Sequence, residues 1–283
     1  MTARRAVLLV ALGAAAIVPT RTVLSAFVRS TLYPAPAVQV PSPPPAPLEE
    51  LVLDLEGEAL SAWWLPPREA AAPIVLMLHG NGENLETLRW SGLYDRFAEL
   101  GAGVLALDYP GYGRSAGAPS EAAVVASAHR AWRELVALAG TERPRVAAGW
   151  SLGAAAAAQL AAREPETVDA LILSSPWSRL AEVAALHFPA WITGPLLADR
   201  YDTLDVAPRI RCPTLVVHGA EDTLIPAAHG RRVFEALPEP KQWLELRGAG
   251  HNDLLARDEV WSAIGETLAA ARRQRSTITS KPP

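Results

Sequence analysis

The chain has one cysteine, Cys212, so it can form no intrachain disulfide and no cysteine-rich zinc site. Positive charge is not in excess. The 26 Lys and Arg against 30 Asp and Glu leave a formal net charge of -4, without the basic footprint of a nucleic-acid-binding surface. There is no internal repeat. The N-terminal apolar run, Ala6 to Val18, is shorter than the ~20 residues a membrane-spanning helix usually needs. What the chain does have is apolar mass: 50% of its 283 residues are hydrophobic and 20% charged. That suffices for a sizeable core in one large domain or two small ones. Its many alanines fit almost any environment and blur helical periodicity.

The short apolar run has the flanks of a signal-peptide core. Met1-Thr2-Ala3-Arg4-Arg5 is the positive region before it, and Pro19 and Arg21 end it. The arginine pair also admits a twin-arginine reading. Cleavage near Val23-Leu24-Ser25 would release the chain, and an uncut segment would anchor it; a buried N-terminal helix is the third option. Residues 1–32 thus predict export or membrane association at the cell envelope. Residues 33–50, YPAPAVQVPSPPPAPLEE, are proline-rich and read as a semi-rigid spacer.

From 51 to 273 short apolar runs alternate with helical segments. LVLDLEG and ALSAWWLP predict a hairpin. PIVLMLHG, GVLALDYPG, RVAAGW, ALILSSPW, PTLVVHGAED and KQWLELRGAG predict further strands, the apolar ones buried on both faces. Helices are expected over 83–100, 120–139, 151–163, 227–237 and 253–273, with a disordered tail at 274–283. The rhythm predicts an α/β fold with a mostly parallel, eight-stranded, doubly wound sheet, whose ligands bind at the carboxyl ends of the strands. Residues 176–211 contain no strand but carry Trp177, Phe188, Trp191, Leu196, Leu197 and Tyr201, which predicts a short helical cap with an apolar underside.

The chemistry is expected just after the strands. Gly149-Trp150-Ser151-Leu152-Gly153 is a G-x-S-x-G pattern between a strand and a helix, the context in which a serine is held exposed on a sharp turn. A neutral hydroxyl needs a base, and His251 in GAGHND follows the last strand. The imidazole needs an orienting carboxylate, and Asp222 in GAEDTLIP follows the penultimate strand. Glu221, its neighbour, and Asp199, Asp202 and Asp205 in the cap are the competing acids. The backbone N–H of Leu152 is one oxyanion donor, and that of Asn81, in the loop HGNG, is the candidate for the second. His79 would brace that loop, and His218 would be structural.

HGNGEN, DYPGYGRSAG, GWSLGA, HGAEDTLIP and GAGHND occur in the order found in α/β-hydrolases, and the chain resembles that superfamily from about residue 50 to 272. The HGN loop, YPGYGRS and the short cap resemble its Bem46-like group; the chain is also similar to the serine-aminopeptidase-type hydrolase domain. The resemblance implies a Ser151–Asp222–His251 triad with Asn81 and Leu152 as oxyanion hole, Asp108 to Gly113 shaping the site, and no metal or organic cofactor. The expected substrate is a small-molecule carboxylic ester or thioester with a hydrophobic acyl part. Two other readings stay open: a peptidase of the aminopeptidase type, using Asp199, Asp202 or Glu221 to bind a free amino terminus, and a non-catalytic binding protein on the same scaffold.

Overall fold

The computed structural model describes residues 30–189 and 197–279. The signal-like segment up to residue 29, the cap residues Trp191 and Leu196, and residues 280–283 lie outside them. The apolar runs become β1 (Glu49–Leu55), β2 (Glu58–Leu65), β3 (Ile74–Leu78), β4 (Gly103–Leu107), β5 (Arg145–Trp150), β6 (Ala170–Ser174), β7 (Thr214–Gly219) and β8 (Lys241–Leu246). They form one eight-stranded sheet in the order β1-β2-β4-β3-β5-β6-β7-β8. The strands from β3 to β8 pair in parallel, and β2 runs antiparallel to both its neighbours.

The pattern follows from burial. Every residue of β3, β4, β6 and β7 is buried, as expected where helices cover both faces of a parallel sheet. Successive residues of β3 alternate between two cores. Ile74, Leu76 and Leu78 pack with α3 (Glu121–Ala139) and α4 (Leu152–Arg163). Val75 and Met77 pack with α1 (Leu85–Trp90), α2 (Leu93–Glu99) and α8 (Asp258–Thr279). All residues of α4 from Leu152 to Ala161 are buried. Its alanines, uninformative as a pattern, let it lie close between the sheet and α3.

Three expectations need correction. The single helix over 83–100 is two, broken at Ser91–Gly92. The proline-rich stretch is not a free spacer: Tyr33, Val40 and Leu48 are buried against the domain, and Asn84 Nδ2 donates to the Val38 carbonyl at 2.8 Å. Prolines keep this stretch from becoming helix, but its interspersed apolar side chains still gain by burial. The last helix does not stop at Arg273 but continues to Thr279, held by Arg275, which donates to the Thr141 carbonyl and pairs with Asp169 at 3.2 Å.

Over the carboxyl edge of the sheet lies the cap. Among the described residues it comprises α5 (Leu180–His187), α6 (Thr203–Val206) and the 3-10 turn Ala207–Arg209. Another helix, α7 (Ala227–Ala236), follows β7.

Candidate active site

Ser151 sits between β5 and α4 at φ 54, ψ -112, a strained conformation for a residue with a side chain. Its N–H donates to the Ser174 carbonyl at 2.9 Å, which ties the turn to β6. The flanking glycines do not supply the positive φ; the serine does. They permit close backbone approach. A Cβ on Gly149 would strike the Gly153 carbonyl, and a Cβ on Gly153 would strike the Leu78 carbonyl at the end of β3.

Asp222 and His251 meet as expected. His251 Nδ1 lies 2.7 Å from Asp222 Oδ2. The carboxylate is held on every side: Oδ1 accepts the N–H groups of Leu224 (3.0 Å) and Ile225 (2.7 Å), and Oδ2 accepts the Ser175 hydroxyl (3.1 Å). His218 Nε2, which donates to the Ile225 carbonyl at 2.8 Å, is 3.4 Å from Oδ2. Burial alone would raise the pKa of Asp222, but the contacts with His218 and His251 outweigh it and hold the carboxyl well below the usual carboxylate range. It is therefore a fixed negative charge at neutral pH. Glu221, the neighbouring acid, is exposed.

The His251 ring lies 5.8 Å from that of Trp150, the residue before Ser151. The ring is held by Asp222, and no hydrogen bond joins Ser151 Oγ to it. Asn81, Ser151 and Leu152 share one cavity of about 330 Å3. The backbone N–H groups of Asn81 and Leu152 have no acceptor among the described residues. The rest of the wall is largely apolar: Trp177, Leu180, Val183 and Phe188 from the cap side, Leu224 and Ile225 from the loop holding Asp222. Thr31 and Leu32 close another side. Just beyond them Tyr33 is buried, its hydroxyl 2.8 Å from Asp199 and 3.0 Å from the Tyr201 hydroxyl.

The loop behind Asn81 is braced by buried groups. Tyr112 donates to Asn81 Oδ1 and Tyr109 to the His79 carbonyl, both at 2.8 Å. His79 Nδ1 is 2.8 Å from the Gly80 carbonyl, so that nitrogen carries the proton. Burial pushes His79 down to about 4, against an ordinary 6.5. Unfolded His79 takes up a proton below about 6.5 and the folded one resists until about 4. The stability this contributes is therefore present above 6.5 and lost as pH falls to 4. Between these limits the unfolding free energy of the wild type should fall relative to His79→Gln by up to about 1.4 kcal/mol per pH unit. Parallel denaturant-measured pH profiles would refute this.

Of the three acids that could hold a free amino terminus, Glu221 is exposed and does not line the cavity, and the other two are occupied elsewhere. Asp199 accepts Tyr33 and the Glu121 N–H, and Asp202 pairs with Arg179 at 2.8 Å. Sequence reasoning missed Ser175 as a partner of Asp222 and gave His218 only a general structural role. Both follow strand ends or sit on them, which was the available signal.

The profile of the family described as serine aminopeptidase, S33, matches residues 68–206. An uncharacterized Mycobacterium tuberculosis protein is 36% identical over 230 residues, covering 80% of each chain. The alpha/beta hydrolase domain-containing protein 17B of Homo sapiens is 33% identical over 202 residues, covering 70% of this chain and 67% of that protein. The chain belongs to the α/β-hydrolase family. Among solved structures, a Pyrococcus furiosus esterase shares the hydrolase fold with a TM-score of 0.66 at 19% identity, over 79% of this chain and 90% of that one. A Paleococcus ferrophilus monoacylglycerol lipase does so with a TM-score of 0.57 at 23% identity, over 75% and 99%. Among the described residues of this hydrolase no helix is long and apolar enough to cross a membrane.

Proposed function

We propose that this chain is a serine hydrolase that cleaves carboxylic esters or thioesters with a hydrophobic acyl part. The reading rests on one observation: an ionised Asp222 hydrogen-bonded to His251, whose ring neighbours Trp150, the residue before a strained Ser151 that lines an apolar cavity. Ser151 Oγ attacks the acyl carbon while His251 Nε2 takes its proton, and Asp222 keeps the other ring nitrogen protonated. The N–H groups of Leu152 and Asn81 receive the oxyanion. The imidazolium then gives its proton to the departing alcohol or thiol, and a water, deprotonated by His251, releases the acid and restores Ser151.

The names of the structurally similar esterase and monoacylglycerol lipase agree with this class of reaction. The aminopeptidase reading is less favoured, because none of the described residues lining the cavity carries a carboxylate to meet a substrate ammonium. The test uses the full chain with p-nitrophenyl esters of increasing acyl length and a fluorophosphonate probe. We expect turnover with an optimum at medium chain length, and labelling that is absent in Ser151→Ala. Turnover of an aminoacyl amide in preference to every ester would overturn the esterase reading, and absence of labelling would overturn the nucleophile.

A further inference from the structure

The motif HGNGEN contributes more than its asparagine. Glu83 folds back on the start of its own loop in two ways. Its N–H donates to the Gly80 carbonyl at 3.3 Å, and its carboxyl Oε2 accepts the Gly80 N–H at 2.7 Å. One residue thus fixes both polar groups of Gly80, and Asn81 sits inside the closed ring. The peptide that supplies the Asn81 N–H is the Gly80–Asn81 unit, whose carbonyl is the Gly80 oxygen. That oxygen is shared between Glu83 N–H and His79 Nδ1–H. The plane of this peptide, and so the aim of its N–H, is set largely by Glu83 and His79 together.

The carboxyl also approaches the catalytic side of the turn. A Cβ placed on Gly80 would be 3.0 Å from Glu83 Oε2 and 3.7 Å from the Trp150 ring, so this glycine separates the two groups. Trp150 leads into Ser151, and its ring neighbours His251. Burial pushes Glu83 up to about 7, against the pull of the Gly80 N–H. A surface carboxylate that only closed a turn would not carry this burial cost.

We propose that Glu83 is a positioning residue: its carboxyl pins the N–H of Gly80, the flexible joint before the Gly80–Asn81 peptide, while its own main-chain N–H holds that peptide's carbonyl, and the two together keep the Asn81 N–H aimed at the oxyanion. This rests on the serine-hydrolase reading. Glu83 itself touches no substrate. A merely structural Glu83 would lower stability and leave transition-state binding unchanged. The two roles therefore separate in kinetics.

The test compares full-length wild type, Glu83→Leu, Glu83→Gln and Glu83→Asp, with Ser151→Ala as the reference for the nucleophile. Three quantities are read: kcat and KM for a soluble p-nitrophenyl ester, the rate of fluorophosphonate labelling, and the Ki of a trifluoromethyl ketone, whose adduct carries the same oxyanion. In Glu83→Leu we expect kcat, labelling rate and ketone affinity each to fall about 10–100-fold, with KM within about twofold. Glu83→Gln keeps an oxygen that can accept the Gly80 N–H and should recover most of each. Glu83→Asp is one methylene too short and should behave like the leucine variant, which serves if that variant does not fold. Equal labelling and ketone affinity in wild type and Glu83→Asp would overturn the inference alone. A Gln variant as impaired as Leu would also overturn it, because bulk and not the acceptor would then matter. A wild type that the probe does not label would remove the serine-hydrolase reading, and this inference with it.

Discussion

Asp222→Asn should leave the chain folded and lower kcat for esters about 10^4-fold with little change in KM. The reason is the ownership of the two carboxylate oxygens. Oδ1 is claimed by the backbone N–H groups of Leu224 and Ile225, so an asparagine would place its carbonyl oxygen there. Its amide nitrogen would then occupy the Oδ2 position, 2.7 Å from His251 Nδ1. An amide N–H facing that nitrogen forces His251 to carry its proton on Nε2, the tautomer that cannot accept one from Ser151. The Ser175 hydroxyl would also lose its acceptor, though it can rotate to accept from the new amide. Steady-state kinetics with a circular-dichroism check of folding would decide the matter. A variant within tenfold of wild type would mean that Asp222 does not orient the base.

Gly153→Ala should act on the fold before it acts on the chemistry. The added carbon would collide with the Leu78 carbonyl, and both partners are main chain in the centre of the sheet–helix packing. Neither can move as a side chain would, since β3 is paired on both sides and α4 is buried along most of its length. We expect a loss of about 3 kcal/mol, the upper end for forced overpacking, which corresponds to a melting temperature lower by about 6–12 °C in a domain of this size. Denaturant and thermal unfolding would measure it. A melting temperature within 2 °C of wild type, an allowance of about 0.5–1 kcal/mol, would show that the turn can relax at little cost.

These two cases also show what the sequence exposes and what it hides. The strand runs were legible because a strand covered on both faces must be apolar throughout, as β3, β4, β6 and β7 are. Ser151 was legible because backbone crowding leaves room for nothing larger than glycine at 149 and 153. Asp222 could be placed at the right loop but not separated from Glu221 on composition alone. The separation comes from burial, which puts one side chain inward and its neighbour outward. Ser175 was hidden because its importance lies in a φ of 46 that turns it toward Asp222, a property that its residue type does not signal. The stretch 33–50 misled for a different reason. Proline content forecasts an extended backbone correctly, but it says nothing of whether Tyr33, Val40 and Leu48 find a surface to cover.

That last point bears on how the hydrolase is cut for expression. The segment entering the domain is part of the cavity beside Ser151: Thr31 and Leu32 supply wall, and Tyr33 rivets that wall to Asp199 and Tyr201 of the cap. A version trimmed to begin near Leu48, just before the sheet begins, would keep Ser151 and His251 and lose one side of the cavity. For the ester hydrolysis proposed above, we expect it to accept bulkier acyl groups and to discriminate less among chain lengths. Selectivity recorded on it would describe the trimmed vessel and not the native one.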